Sequence, residues 1–186
     1  MALLRGHVFV GIFTTERIIM IFDYDEFESP IGRILFATNA DGICALDFAG
    51  YEKRMDALLT RRFGSYSFKR NSDPLNLKAR LRRYFDGDLE ALEGVPVNSN
   101  GSVFQEQVWK ALRTIPAGAT WTYGQLAAQL RRPTAARAVG HANSLNPVGI
   151  VVPCHRVIGA SSALTGYAGG LERKQWLLRH EGALLA

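Results

Sequence analysis

The chain has 186 residues, 47% of them hydrophobic, and a formal net charge of +5. That is enough for a real core and one or two compact domains, and no apolar run reaches the roughly 18 residues a membrane-spanning helix needs. Two cysteines, Cys44 and Cys154, are too few for a stapled secreted scaffold and predict a reducing, cytoplasmic compartment.

Residues 1–20 read as an N-terminal extension. Its apolar patch HVFVGIF is soon interrupted by Glu16 and Arg17, and no small-residue cleavage site follows, so a signal peptide is not expected. A natural start at Met20, a disordered extension and an ordered strand all remain open for this segment.

Residues 21–98 read as an α/β unit. RILFAT and ICALDF are β-rich runs separated by the hairpin signal NADG. EKRMDALLTRRFG is helix-like and stops at Gly64. In DPLNLKARLRRYFDG, Asp73 is the expected N-cap, Pro74 the first helical residue and Gly87 the residue past the end. Leu77, Leu81, Tyr84 and Phe85 give this helix an apolar stripe. GVPVNSNG then marks a boundary near Asn98 to Gly101. No chemistry is evident in this half, and Cys44 reads as an inert core thiol.

Residues 101–186 read as mainly helical, so the whole chain is α+β. Ser102 with Gln105 forms a capping box, and Phe104, Val108, Leu112 and Ile115 continue as a helical stripe to Pro116. Thr122 with Gln125 forms a second capping box, opening YGQLAAQL. Pro133 introduces TAARAVGHAN. Two short helices across an RRP turn make a helix-turn-helix candidate. On the second helix, Ala135, Ala138, Val139 and Ala142 make an apolar side, and Ala136 and Gly140 a side almost without side chains, next to Arg137. Tight packing within the domain explains such a face; a groove contact explains it together with Arg137.

Charge is unevenly placed. From Gln107 to Leu171 there is no acid, while Lys110, Arg113, Arg131, Arg132, Arg137 and Arg156 fall in that interval. Residues 101–186 carry +6 and the first hundred −1. An acid-free basic surface suits a polyanion such as nucleic acid, although a solvated basic face would look the same.

The stretch VVPCHRVIG holds Cys154 next to His155. The sequence has no C-x-x-C or H-x-x-x-H, so a metal site is not expected there. A buried structural thiol is the common fate of a lone cysteine. Against it, Pro153 should end a strand at IVV, leaving the thiol at a strand end beside an imidazole and Arg156, where thiolate is favoured. Far along the chain, LERKQWLLRHEG reads as the last helix, with Glu181 in its final turn on the side of Leu177 and Leu178. An acid there opposes the helix dipole and needs a cationic partner. Cys154, His155 and Glu181 together would supply nucleophile, base and orienting group.

NPVGIVVPCHRVIG, with TYGQLA, AARAVG, GYAGGLERKQWLLRHEG and FQEQVWKALRTIPAG, resembles the O6-alkylguanine-DNA alkyltransferase family, most nearly its bacterial Ogt-type members, from about Phe104 to Gly182. SPIGRILFA and LRRYFDGDL resemble the family's N-terminal domain more loosely. The resemblance implies an RNase H-like α/β domain followed by a helical domain with a winged-helix-like helix-turn-helix. It implies irreversible transfer of the alkyl group from flipped-out O6-alkylguanine, and from O4-alkylthymine, to Cys154. By it His155 is the base, acting through a bridging water, Glu181 orients it, and Asn146 holds the turn. Tyr123 hydrogen-bonds the guanine ring and neutralises its developing charge. The main chain at Val157 and Ala168 reads the base edge, and Tyr167 and Gly169 line the pocket, Gly169 leaving some room. Arg137 fills the place of the flipped nucleotide, while Thr134, Ala135, Ala136 and Gly140 enter the minor groove. No cofactor and no metal are implied. The partner is double-stranded DNA carrying O6-alkylguanine, without a membrane, bound by a monomer acting alone or cooperatively.

Two other functions remain in view. A cysteine hydrolase using the same pair would turn over an ester or peptide, but leaves the basic helix-turn-helix unexplained. A DNA-binding lesion sensor would carry an inert Cys154.

Overall fold

The computed structural model describes residues 19–70, 73, 75–161 and 164–184. The expectations for residues 1–18 and for Pro74 lie outside the described residues. Three strands come first: β1 (Met20–Ser29), β2 (Gly32–Asn39) and β3 (Gly42–Phe48). Helix α1 (Glu52–Phe63) and strand β4 (Tyr66–Arg70) follow, then helix α2 (Leu77–Phe85). The sheet order is β3-β2-β1-β4, antiparallel except for the parallel β1–β4 pair. NADG closes the β2–β3 hairpin, with the Asp41 N–H donating to the Asn39 side chain at 3.0 Å. Neither β1 nor β4 was expected as a strand. The acid-rich DYDEFE of β1 hides its alternation, although Phe22 is fully buried, and β4 is a mostly exposed edge.

Successive side chains of a strand point to opposite faces. Leu35, Ala37, Cys44 and Ala45 pack under α1 with Met55 and Leu59, the consecutive pair Cys44 and Ala45 sharing a face because a bulge opposite Ala37 and Thr38 interrupts the alternation. Ile34, Phe36, Ile43, Leu46 and Phe48 face the other way, into a core shared with α2 and with the second half of the chain. The start of α2 differs from expectation. Asn76, in a left-handed conformation, precedes the first helical residue, Leu77. Asp73 still serves the helix end, its carboxylate accepting the N–H groups of Leu77 at 2.6 Å and Lys78 at 2.7 Å. A longer loop lets it cap from four and five residues back.

The second half contains α3 (Val103–Leu112), β5 (Trp121–Thr122), α4 (Tyr123–Gln129), α5 (Ala136–Ser144), a 3-10 turn at Cys154–Arg156, β6 (Val157–Ile158) and α6 (Leu171–His180). Both expected capping boxes form, at the starts of α3 and α4. Helices α3, α4 and α5 pack together, with the Trp109 indole donating to the Ala142 carbonyl at 2.9 Å. The buried face of α5 is Val139, Ala142 and Asn143. Ala138, expected on that face, is exposed instead, because the packed stripe sits one position further along the helix and turns 137, 138 and 141 outward. Strand β5, which contacts α4, pairs in parallel with β6.

IVV is not a strand. It forms a turn, held by Val151 N–H to Gly149 O at 2.8 Å and Val152 N–H to Val148 O at 3.0 Å. Ile150 takes a φ of +67°, costly for a β-branched residue. What fixes this turn is β3. Leu46 donates to Pro147 O at 2.8 Å and accepts from Gly149 N–H at 3.1 Å, so the loop before Cys154 continues the sheet beyond its β3 edge.

Candidate active site

Cys154 opens a 3-10 turn, whose side chains step by about 120°. His155 and Arg156 therefore both reach Glu181 while the thiol takes another direction. His155 is fully buried, and its Nε2 lies 3.0 Å from Glu181 Oε1. Arg156 adds a bidentate contact, Nε to Oε2 at 2.9 Å and Nη2 to Oε1 at 2.8 Å. Tyr84, from α2, donates its hydroxyl to the same Oε1 at 2.7 Å. Glu181 is the residue capping the end of α6 and is itself buried. The opposition between acid and helix dipole is thus answered by three donors.

These contacts set the proton distribution. Burial would raise the Glu181 carboxyl, but His155 and Arg156 overcome it and hold it well below the ordinary carboxylate range. Burial lowers the His155 imidazole, against the pull of Glu181. A carboxylate can only accept, so the neutral ring carries its proton on Nε2. Nδ1 is then a lone-pair acceptor, buried and without a protein partner among the described residues.

Cys154 is 5% exposed. Burial pushes its thiol up, while a hydrogen bond with Asn146 and the charges of Arg54 and Lys174 pull the other way. This corrects the expectation of a thiolate favoured by His155 and Arg156. The imidazole is neutral and Arg156 is committed to Glu181, so the cations that favour the thiolate are Arg54 of α1 and Lys174 of α6. Lys174 is fully buried, its Nζ donating to Val157 O at 2.6 Å and Thr165 O at 2.7 Å. Burial brings its ammonium down to about 8, with Cys154 opposing that shift.

Asn146 ties the turn from inside. Its Nδ2 donates to Val152 O at 2.8 Å and its Oδ1 accepts the Val148 N–H at 3.0 Å. Tyr167 meets the His155 ring edge-on at 6.4 Å. Gly169 does not provide room: a Cβ there would stand 2.8 Å from both the Phe48 and Tyr167 rings. The missing side chain lets the lip of the site close against β3. Ala168 is half-buried beside it. Val157 already uses both main-chain groups, its N–H on Cys154 O and its carbonyl on Lys174, and the carbonyl keeps a second lone pair. Tyr123, at the start of α4, stands beside Gly140, where a Cβ would lie 3.7 Å from the phenol ring. Thr134 and Arg137 are exposed, and Ala135 and Ala136 half-buried, at the outward start of α5.

Sequence reasoning missed four contributors. Lys174 shares a helix face with Leu177, Leu178 and Glu181, which was a readable signal of a buried, partnered charge. Tyr84 lay on the predicted apolar stripe, where its hydroxyl required a partner. Arg54 and Asp47 carried no local signal. Cys44, in β3, is buried, and burial pushes its thiol up to about 12.

A neutral imidazole fixed by a buried carboxylate, next in the chain to a buried thiol, suits a cysteine nucleophile, and the packed helices α4 and α5 suit DNA. A family model described as "6-O-methylguanine DNA methyltransferase, ribonuclease-like domain" matches residues 23–99, and one described as "6-O-methylguanine DNA methyltransferase, DNA binding domain" matches residues 103–183. The chain is similar to the methylated-DNA–protein-cysteine methyltransferase of Shigella flexneri, 52% identical over 76% of this chain and 84% of the relative. It is similar to that of Methanosarcina acetivorans at 43% identity, over 86% and 98%. A crystal structure of Mycobacterium tuberculosis OGT in complex with DNA superposes with a TM-score of 0.71 at 39% identity, covering 88% of this chain and 93% of that one. The chain belongs to the O6-methylguanine-DNA methyltransferase family.

Proposed function

We infer that this protein repairs DNA by direct reversal, moving the alkyl group of O6-alkylguanine in duplex DNA onto Cys154 in one irreversible turnover. The observation that carries this reading is the buried Cys154–His155–Glu181 arrangement with its unpaired Nδ1. Relatives named methylated-DNA–protein-cysteine methyltransferase support it. At rest burial keeps the thiol protonated, so it requires a base. His155 Nδ1 takes the thiol proton through a bridging water, and Glu181 stabilises the imidazolium. The sulfur attacks the alkyl carbon, the C–S bond forms as the C–O6 bond breaks, and the electron pair stays on guanine. Tyr123 hydrogen-bonds the ring and neutralises that charge. The leaving group is the repaired base, so the step calls for no cofactor. O4-alkylthymine presents the same alkyl–oxygen bond and falls within the same chemistry.

The target atom is inaccessible in stacked DNA and must be flipped out. Exposed Arg137 takes its place, with Thr134, Ala135, Ala136 and Gly140 lying along the minor groove, where short side chains permit close approach. Val157 and Ala168 read the base edge through the main chain, Tyr167 and Gly169 wall the pocket, and Asn146 holds the turn. Residues 21–98 and 101–186 are taken as the two domains. A thiol consumed once must stay reduced until used, which fits the cytoplasm; among the described residues no helix is long and apolar enough to cross a membrane. Mass spectrometry after incubation with an O6-methylguanine duplex tests the reading. One methyl adduct, on Cys154, is expected; repeated turnover, or transfer surviving Cys154→Ala, overturns it.

A further inference from the structure

The N-terminal half touches the candidate site at more than its lip. Arg54, on α1, is half-buried and spans three acceptors. Its Nη1 pairs with buried Asp47 of β3 at 2.5 Å. Its Nη2 donates to the carbonyls of Asn146 at 2.8 Å and Ser144 at 3.1 Å. Two turns on, Arg62 donates to Leu145 O at 2.7 Å. The two arginines thus satisfy three successive carbonyls where α5 ends, the negative end of its dipole. Only Arg54 reaches the residue whose side chain organises the Cys154 turn.

We propose that Arg54, held by Asp47, is a positioning residue for the Cys154 thiol, acting through the Asn146 turn. Asn146 is gripped at both ends. Arg54 fixes its carbonyl, and its own amide spans Val148 N–H and Val152 O. Rotation of that peptide would carry the amide off the turn and away from the sulfur. β3 supports the same loop through Leu46, so Asp47 and Leu46, adjacent in one strand, hold a side-chain and a main-chain anchor. The Arg54 charge also favours the thiolate, as does Lys174 from α6, while the Tyr167 hydroxyl interacts electrostatically with the thiol and the Asp47 carboxylate sits on the Arg54 guanidinium. Arg62 serves as the internal comparison, because it caps the same helix end without touching Asn146. The rigid fork of a guanidinium is what bridges several acceptors; an ammonium carries the charge without that geometry.

The test compares Arg54→Met, Arg54→Lys and Arg62→Met in the full chain. Three quantities are read: methyl transfer from duplex and from free O6-alkylguanine base, binding of unmodified duplex, and the pH dependence of Cys154 alkylation by iodoacetamide. Arg54→Met should slow transfer from both substrates by about tenfold or more, leave duplex binding within about twofold, and move the iodoacetamide profile to higher pH. Arg54→Lys should restore the profile and only part of the rate. Arg62→Met should lower the melting temperature and leave the profile and free-base transfer as in the unaltered protein. Should Arg54→Met fail to fold, Asp47→Asn, which frees the guanidinium, is expected to give the same slowed transfer. The proposal is overturned by an unchanged profile and rate in the Arg54 variants, or by an equal shift in Arg62→Met. It rests on Cys154 being the alkyl acceptor. If the unaltered protein takes no methyl group, that repair reading falls, while the iodoacetamide profile still decides the role of Arg54.

Discussion

The surroundings of Cys44 and Cys154 differ far more than their exposure. Both thiols are nearly closed to solvent, at 0% and 5%. Cys44 lies under α1 among Phe22, Leu35, Ala45 and Met55, and burial pushes it up to about 12. Cys154 is also pushed up by burial, but Asn146, Arg54 and Lys174 oppose the shift, and a neutral imidazole stands next to it. Burial alone therefore does not set the two thiols apart. The separation comes from polar groups brought in from α1, α6 and the Asn146 turn, each held by its own partners. Sequestration then helps, because charges act more strongly where water is excluded.

The largest way to break this difference is to remove the carboxylate that organises it. Glu181→Gln leaves Arg156 without its counter-charge in a buried setting and weakens the hold on His155. Breaking a buried pair in this way typically costs about 3–5 kcal/mol. A matching loss in denaturant stability, with transfer slowed about a hundredfold or more, is expected. A Gln variant of unchanged stability would mean the network is decorative. Next in size is the reaction itself. A methyl group on Cys154 adds bulk to a closed turn, and overpacking costs about 1–3 kcal/mol. The methylated protein should melt at lower temperature than the free thiol form, and equal melting temperatures would contradict the packing described.

The third effect is a slope with pH. The native His155 ring resists protonation relative to its ordinary value of 6.5. Below pH 6.5 the unfolded chain takes up a proton that the native ring refuses, so stability falls with falling pH. Glu181 acts in the same direction at lower pH. Its native carboxyl lies below the ordinary 4.5, so its contribution is present above that value and lost on further acidification. His155→Gln should flatten the melting-temperature profile between about pH 5 and 6.5 and leave the steeper fall below it. A profile unchanged by the substitution would place the acid sensitivity elsewhere.

What the sequence made legible follows the range of each interaction. The capping boxes at Ser102–Gln105 and Thr122–Gln125 form because all their groups lie within one turn. Glu181 could be tied to His155 across the chain because a carboxylate on an apolar helix face demands a partner, and the resemblance of the VVPCHRVIG region supplied the rest. The form of the IVV turn was not legible. Its conformation is imposed by β3 through Leu46, about a hundred residues earlier in the chain. The same holds for Arg54, whose partners at Ser144 and Asn146 no local pattern announces. Ala138 was misplaced because alanine tolerates either face, so its neighbours on α3 and α4, and not its own chemistry, decide.

The smallest expected effect is the most direct check on the contrast between the two thiols. Cys44→Ala removes one sulfur from a packed apolar cluster, and a small cavity of that kind costs on the order of 1 kcal/mol. Its thiol makes a weak contact to Gly42 O at 3.6 Å and accepts from the backbone near Asn39. That cluster reaches the Asn146 turn through the backbone of β3 and through α1, where Met55 adjoins Arg54, and alanine preserves both. The variant should therefore melt slightly lower, take one methyl group on Cys154, and do so at an unaltered rate. A slowed transfer would show that packing on the α1 face of the sheet is transmitted through Leu46 or Arg54 to the loop. Cys44 would then count as part of the support of Cys154, and not as its inert counterpart.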